Sequence, residues 1–566
     1  ETSAPDTTTR HRSGKQQAPI IGRALRGLIA TMLPALFILS LLCCLVSAAE
    51  RSAEVSTSQG PLTGNVLSVD GRTVEEYLGI PYAQPPVGDL RFRKPLPLQS
   101  WKGTYDATKA KHSCLQNLYP IIFLIQTDLS EDCLYLNVWT PRKEGALKPV
   151  IVWIHGGAFK FGSSHERWYN GAALAALNDV VVVSLNYRLG IFGFLDAGND
   201  EAPGNVGLWD QTMALKWIQR NIKAFGGDPR MVTIFGESAG SMSLHAHMLS
   251  PHSKGLFKRG FMMSGTLAFD LPVESPSESA ERGKKVAQML ECAGPQDDLS
   301  NSSVMQCLRT KDAEELHKVA EEAANNKICT FYPTYESEFL PVRPSRAVPK
   351  KDYEPLDVLI SVTADEGAFA AIFQPDQRLL EKDLFHTDDA DVRKIVETVV
   401  YVWSFERLAH IGRAYTEKAI PQGKLALRKA LIDYTGDLFF KCQTMAFSEK
   451  HSAGGGKVYG FVFGYRSEKY EFPEFFGVPH TSDIPYYMGG PFLDVEKYTD
   501  KDRVMSRKAM DMLVSFARIG VPKHPGGLPW PAFGKKHPVY QWIQPGNYSH
   551  VSDLAAGRCE TIKNQL

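Results

Sequence analysis

The chain alternates short, continuously apolar runs with longer stretches in which apolar residues recur every three or four positions. The runs Pro149–Ile154, Val180–Leu185, Val232–Phe235, Leu356–Val362 and Val458–Phe463 are rich in β-branched and aromatic residues, and they predict buried strands. Gln211–Lys223, Glu278–Leu290 and the long stretch Asp388–Tyr415 carry a helical pattern. Strands apolar on both faces, separated by helices, predict an α/β fold with a large, mostly parallel central sheet covered by helices on both faces. Gly454-Gly455-Gly456 directly precedes the run Val458 to Tyr465 and reads as a loop entering a strand. No internal repeat interrupts this alternation.

In such sheets ligands bind beyond the carboxyl ends of the strands, so reactive residues are sought there. Gly236-Glu237-Ser238-Ala239-Gly240 follows the run Met231–Phe235 and leads into the helix-compatible Ser241–His245. A G-x-S-x-G sequence between strand and helix is the setting of a nucleophile elbow. Glycines 236 and 240 relieve the crowding of the turn, and Ser238 stands at its tip. There the helix N-terminus favours developing negative charge. His155-Gly156-Gly157-Ala158 follows Ile151–Ile154 in the same way. The N–H groups of Gly156, Gly157 and Ala239 are candidate donors to the oxyanion of a tetrahedral intermediate. Glu366, in Asp365-Glu366-Gly367, also follows a strand, and His480 lies in the turn-rich stretch Gly477–Asp483. Composition cannot select one of 15 histidines. The chain order Ser238, Glu366, His480 is the nucleophile–acid–base order expected of α/β-hydrolases.

Composition narrows the setting. The chain is 43% apolar and 22% charged with formal net charge +0, as in an ordinary globular protein, so nothing points to a nucleic-acid partner. Met32–Val46 is an apolar segment followed by Ser47-Ala48-Ala49, the form of a signal peptide. The expectation is that Met32 is a candidate start and that residues 1–31 are an upstream extension. In an alternative reading, Arg10, Arg12, Lys15, Arg23 and Arg26 precede a signal anchor. Both readings place everything after Glu50 outside the cytosol. Beyond Cys43 and Cys44 of that segment, seven cysteines remain. Six can form three bridges in an oxidising compartment. Proximity suggests Cys114–Cys133 and Cys292–Cys307, which leaves Cys442–Cys559 and an unpaired Cys329; other pairings stay open. No C-x-x-C pair argues for zinc. Asn301-Ser302-Ser303 and Asn547-Tyr548-Ser549 are N-glycosylation sequons.

From about residue 53 to the C-terminus the chain resembles the type-B carboxylesterases, the group that includes carboxylesterases, cholinesterases and juvenile hormone esterases. The resemblance rests on Tyr77–Ala83, Glu131–Val138, the His155 turn, Asn186-Tyr187-Arg188, Gly204–Gln211, Phe225–Pro229, the elbow, Asp365-Glu366-Gly367 and the His480 loop. It implies one α/β-hydrolase domain over 50–566, with 1–49 the extension and signal peptide or anchor. It also implies two-step ester hydrolysis: Ser238 as nucleophile, His480 as base and then acid, Glu366 as the carboxylate orienting His480, and Gly156, Gly157 and Ala239 as oxyanion donors. It supports the three cysteine pairings, an Arg91–Glu131 ion pair and the absence of any cofactor.

The substrate expected is a small ester, with a hydrophobic acyl or alcohol group. Choline esterases of this group carry a Trp in the loop closed by the first disulfide, to hold the quaternary ammonium; the loop between Cys114 and Cys133 has none. Its run Ile121–Ile125 centres on Phe123 and suits an apolar group. Phe123, Glu237, Cys329 and Phe331 are candidate pocket positions, and the small thiol of Cys329 predicts a roomy acyl site. Juvenile hormone esterases often carry Gln before the nucleophile, where this chain has Glu237. Rival readings are a catalytically silent adhesion or binding member, a cholinesterase-like enzyme, and a slow esterase that sequesters toxic esters. The presence of Ser238, Glu366 and His480 together argues against the silent one.

Overall fold

The computed structural model describes residues 50–117, 128–141, 145–323, 331–372, 377–403 and 409–564. Its centre is an eleven-stranded sheet. In chain order the strands are β1 (Asn65–Val69), β2 (Arg72–Pro81), β3 (Tyr135–Pro141), β4 (Lys148–Ile154), β5 (Val181–Leu185), β6 (Gly227–Glu237), β7 (Arg259–Met263), β8 (Asp357–Thr363), β9 (Val458–Phe463), β10 (Tyr540–Gln544) and β11 (Asn547–Val551). Their order across the sheet is β11-β10-β9-β8-β7-β6-β4-β5-β3-β2-β1. The block from β5 to β10 is parallel, and β1–β3 and β11 add to its edges antiparallel. The five strands read from the apolar runs all lie in the parallel block. The edge strands, half polar, escape that reading.

Alternation along the strands builds two cores. Val150, Val152 and Ile154 of β4 belong to one, and Ile151 and Trp153 to the other. The helices used below are α1 (Ala172–Asn178), α2 (Val206–Asn221), α3 (Ala239–Leu249), α4 (Pro276–Met289), α5 (Ala313–Ala323), α6 (Lys424–Gly436) and α7 (Asp500–Ile519). The first core takes apolar side chains of α2 and α3, and the second those of α1 and α7. Two faces buried by helices explain why the central strands are apolar throughout. Local signals set the helix ends: Ser275 and Glu278 close a capping box at α4, with Pro276 in its first turn. The stretch expected as one helix over Asp388–Tyr415 is helical over Asp389–Trp403 and Ala409–Ala419. The three-glycine run follows the helix Cys442–Ala453 and precedes β9.

All three expected disulfides are formed: Cys114–Cys133, Cys292–Cys307 and Cys442–Cys559. The Arg91 and Glu131 side chains pair at 2.6 Å in a nearly buried setting. Residues 1–49, the proposed leader, lie outside the described residues. Among the described residues no helix is long and apolar enough to cross a membrane.

Candidate active site

The elbow forms where β6 runs into α3. Ser238 has φ 55° and ψ −121°, a conformation that L-residues seldom adopt, and it serves as the N-cap of α3. Such a residue costs on the order of 1–3 kcal/mol and persists only where its surroundings fix it. Its N–H donates to the Met263 carbonyl at the end of β7, and its carbonyl accepts from Met242. The flanking glycine is obligatory, since a Cβ on Gly240 would lie 2.0 Å from the Ile154 carbonyl oxygen. Gly156 is pressed against the same corner. Its Cβ would meet Glu237 Oε2 at 2.7 Å and Ser238 Cβ at 3.1 Å. The glycine turn after β4 and the elbow after β6 are therefore in direct contact, as neighbouring parallel strands allow.

The candidate acid and base come from β8 and the loop beyond β9. Glu366 opens a short 3-10 turn just after β8 and is fully buried. Its Oε1 accepts from Ser264 Oγ at 2.5 Å and from the Thr363 N–H at 2.6 Å. Its Oε2 lies 2.7 Å from His480 Nδ1. The two loops are tied to each other: the Asp365 N–H donates to the Val478 carbonyl, and the Val478 N–H donates to Asp365 Oδ2. Ser264 is a partner that sequence reasoning missed. Its signal is its position, one residue beyond the carboxyl end of β7.

Glu237 was expected in a substrate pocket. Its side chain approaches the imidazole, with Oε1 2.9 Å from His480 Nε2. His480 thus stands between two carboxylates, one at each ring nitrogen. Burial pushes its basicity down, but Glu237 and Glu366 outweigh this and hold it above its usual value. Burial likewise raises the Glu237 carboxyl, against the pull of His480. A third acid, Asp483, is fully buried three residues further on. Neither of its carboxylate oxygens has a hydrogen-bond partner among the described residues, and burial raises it well above its usual range. Two aromatic rings flank the imidazole, Phe440 at 4.3 Å and Phe369 at 5.2 Å between centroids. Phe440 comes from a π-helical turn, Asp437–Lys441, a distortion that often marks functional sites. Neither ring is signalled by spacing.

The other expected positions are spread out. Phe331 is buried in the core with its ring facing the Arg282 guanidinium of α4, 5.6 Å away. Phe123 and Cys329 lie outside the described residues. Asn301 caps the helix Ser302–Thr310 and is exposed; Asn547 opens β11 and is exposed. His155 of the glycine turn is buried with its ring stacked on Tyr187, and burial lowers it to about 4. It is therefore neutral and structural. Among the described residues no cluster of His, Cys, Asp and Glu could hold a metal ion.

A sequence profile described as the carboxylesterase family matches residues 51–562. An acetylcholinesterase of Leptinotarsa decemlineata is 34% identical over 522 residues, which span 86% of this chain and 81% of that protein. A cholinesterase of Mus musculus is 35% identical over 534 residues, spanning 90% of this chain and 86% of its own length.

Proposed function

The chain belongs to the carboxylesterase family, an α/β-hydrolase family of serine esterases, and from that premise we propose that it hydrolyses small, uncharged hydrophobic esters through an acyl-Ser238 intermediate. The observation that carries the reading is the 2.7 Å contact of Glu366 with His480 Nδ1, in a molecule whose elbow serine abuts the Gly156 turn. In the proposed cycle His480 Nε2 accepts the Ser238 proton as the hydroxyl attacks the ester carbonyl. The N–H groups of Gly156, Gly157 and Ala239 receive the oxyanion. His480 then hands the proton to the departing alcohol, and water repeats the sequence on the acyl-enzyme. Glu366 keeps the imidazole in the tautomer with its proton on Nδ1 and stabilises the imidazolium. In this cycle Nε2 exchanges its contact with Glu237 for one with the serine hydroxyl. Three disulfides support an oxidising compartment, and hence a secreted or externally displayed enzyme.

Choline-ester hydrolysis is the second reading. Relatives named acetylcholinesterase and cholinesterase favour it, as do Phe369 and Phe440 beside His480, since ring faces attract a quaternary ammonium. The test is a panel of p-nitrophenyl acetate, butyrate and longer esters with acetylthiocholine, run on secreted protein with Ser238→Ala as the blank. Higher kcat/KM for butyryl or longer neutral esters than for the choline ester is expected, with no turnover in the variant. Efficient choline-ester turnover selects the second reading. Folded, disulfide-bonded protein without turnover overturns both in favour of a binding role.

A further inference from the structure

The turn that follows β4 is unusual in its backbone. Gly157, Ala158, Phe159 and Gly162 all have positive φ, at 101°, 54°, 59° and 107°. Ala158 and Phe159 carry Cβ atoms in a region that disfavours them. The N–H groups of Lys160 and Phe161 both donate to the Gly157 carbonyl, which closes the turn on itself. A strained segment of this kind holds only if its surroundings determine it.

Two polar clamps supply that determination. Gln116, buried just after Cys114, donates from Nε2 to the Gly162 carbonyl at 2.9 Å and accepts the Gly162 N–H on Oε1 at 2.7 Å. It therefore fixes both backbone groups of the residue that ends the turn. The second clamp is Lys160, a lysine only 6% exposed. Its Nζ lies 2.5 Å from Glu321 Oε2 on α5, and both side chains are largely buried. Asn117 Nδ2 donates to the same Glu321 oxygen, and Asn117 Oδ1 meets His317 Nε2 at 3.1 Å. The base of the first disulfide loop grips the end of the turn at Gly162, and α5, tied to that loop through Asn117, holds Lys160. Buried lysine is rarely retained without a role, because its charge is costly to bury.

We propose that Gln116, Lys160 and Glu321 are positioning residues for ester hydrolysis: they hold the turn in the one conformation whose N–H groups converge on the carbonyl oxygen of the substrate. This rests on the reading of Gly156 and Gly157 as oxyanion donors. Donors of this kind act only when fixed in place before the charge develops. Loosening the clamps lowers kcat and leaves KM nearly unchanged, because the uncharged ester hardly depends on them.

The test compares a p-nitrophenyl ester with its thionoester, whose sulfur accepts hydrogen bonds weakly and so gains little from the donors. Rates are normalised by active-site titration of the full chain. Lys160→Met/Glu321→Gln removes both buried charges together and leaves neither orphaned; Gln116→Met opens the other clamp. Each is expected to lower kcat for the ester about 10- to 100-fold, with a smaller fall for the thionoester, and Lys160→Arg should restore most of the loss. Asn117→Ala, at an exposed position, keeps the test open if the buried variants do not fold, and should show the same pattern more weakly. A purely structural role lowers the yield of active enzyme and its thermal midpoint but leaves the ester-to-thionoester ratio fixed; that result overturns the proposal. If wild-type enzyme shows no preference for the ester while Ser238→Ala is inactive, the oxyanion reading itself has failed. If wild type discriminates and every variant discriminates equally, only the clamps have.

Discussion

Replacing Glu237 by Gln isolates the charge beside His480 Nε2. The two side chains lie 2.9 Å apart and are almost completely buried. At that separation and an effective dielectric of about 20, a full charge pair is worth roughly 6 kcal/mol, which corresponds to ~4 pH units of imidazole basicity. Burial opposes this on both partners, pushing the imidazole down and the carboxyl up. Part of the attraction is cancelled in this way, and a net displacement of at least about one unit is expected. The sign is fixed by the chemistry. In the proposed cycle only neutral His480 can accept the serine proton, and Glu237 favours the charged form, so it delays the appearance of the base as pH rises. Glu237→Gln should therefore move the acid limb of kcat/KM to lower pH and raise the fraction of full activity found near pH 6. The plateau should fall modestly, because the imidazolium formed during acylation loses one of its two carboxylates. The assay is kcat/KM for a neutral p-nitrophenyl ester over about pH 5–9, at an ionic strength held constant. A limb that stays in place, or that moves to higher pH, would falsify the assignment of an ionised Glu237 at this contact.

Four further variants test the rest of the site and the fold around it. Glu366→Gln should reduce kcat by about 10⁴-fold with little change in KM, since the amide supports the wrong imidazole tautomer; a loss below tenfold in titrated enzyme removes Glu366 from the mechanism. Asp483→Asn should leave kcat within a few-fold, because neither carboxylate oxygen is bonded, and the same titrated assay would expose a larger fall. Gly240→Ala forces a methyl against the Ile154 carbonyl and should destabilise the fold by about 1–3 kcal/mol as well as abolish turnover; a variant with normal thermal midpoint and normal kcat contradicts the elbow geometry. Paired Cys442→Ser and Cys559→Ser open a loop of 117 residues, and non-reducing urea unfolding should read a loss of about 5 kcal/mol by the loop-entropy estimate.

Much of this architecture can be read from the chain because local and global demands coincide. A strand buried on both faces has to be apolar throughout, so β4, β5, β6, β8 and β9 announce themselves. β7 does not, because Arg259-Gly260-Phe261-Met262-Met263 is too short and mixed to stand out. The β1–β2 hairpin is half polar, and its signal is the Asp70-Gly71 turn, where both residues have positive φ as a two-residue hairpin loop requires. Ser238, Glu366 and His480 were legible for a different reason. Each sits at or beyond a strand end, and the resemblance of the segments around them to one family supplied what no single motif could.

The residues that escaped are those whose meaning depends on which side chains turn towards one point. Glu237 and Ser238 are adjacent in sequence, and nothing in that adjacency indicates that one carboxylate oxygen reaches His480. Once the geometry is known, the charges around the imidazole can be sorted by their partners. Glu366 accepts from a hydroxyl and a backbone N–H in addition to His480, so its ionised form is solvated by the protein. Asp483 has no such donor, and a buried carboxylate without donors takes up a proton rather than hold its charge. Glu237 lies between these cases, with His480 as its counter-charge. One imidazolium cannot balance three buried carboxylates, and the unequal supply of donors resolves the conflict. Glu366 has donors for both carboxylate oxygens, Asp483 has none and is raised by burial, and Glu237, also raised by burial, has His480 as its counter-charge. The acid placed to tune the base is thus the one that meets Nε2, the nitrogen that receives the serine proton in the proposed cycle.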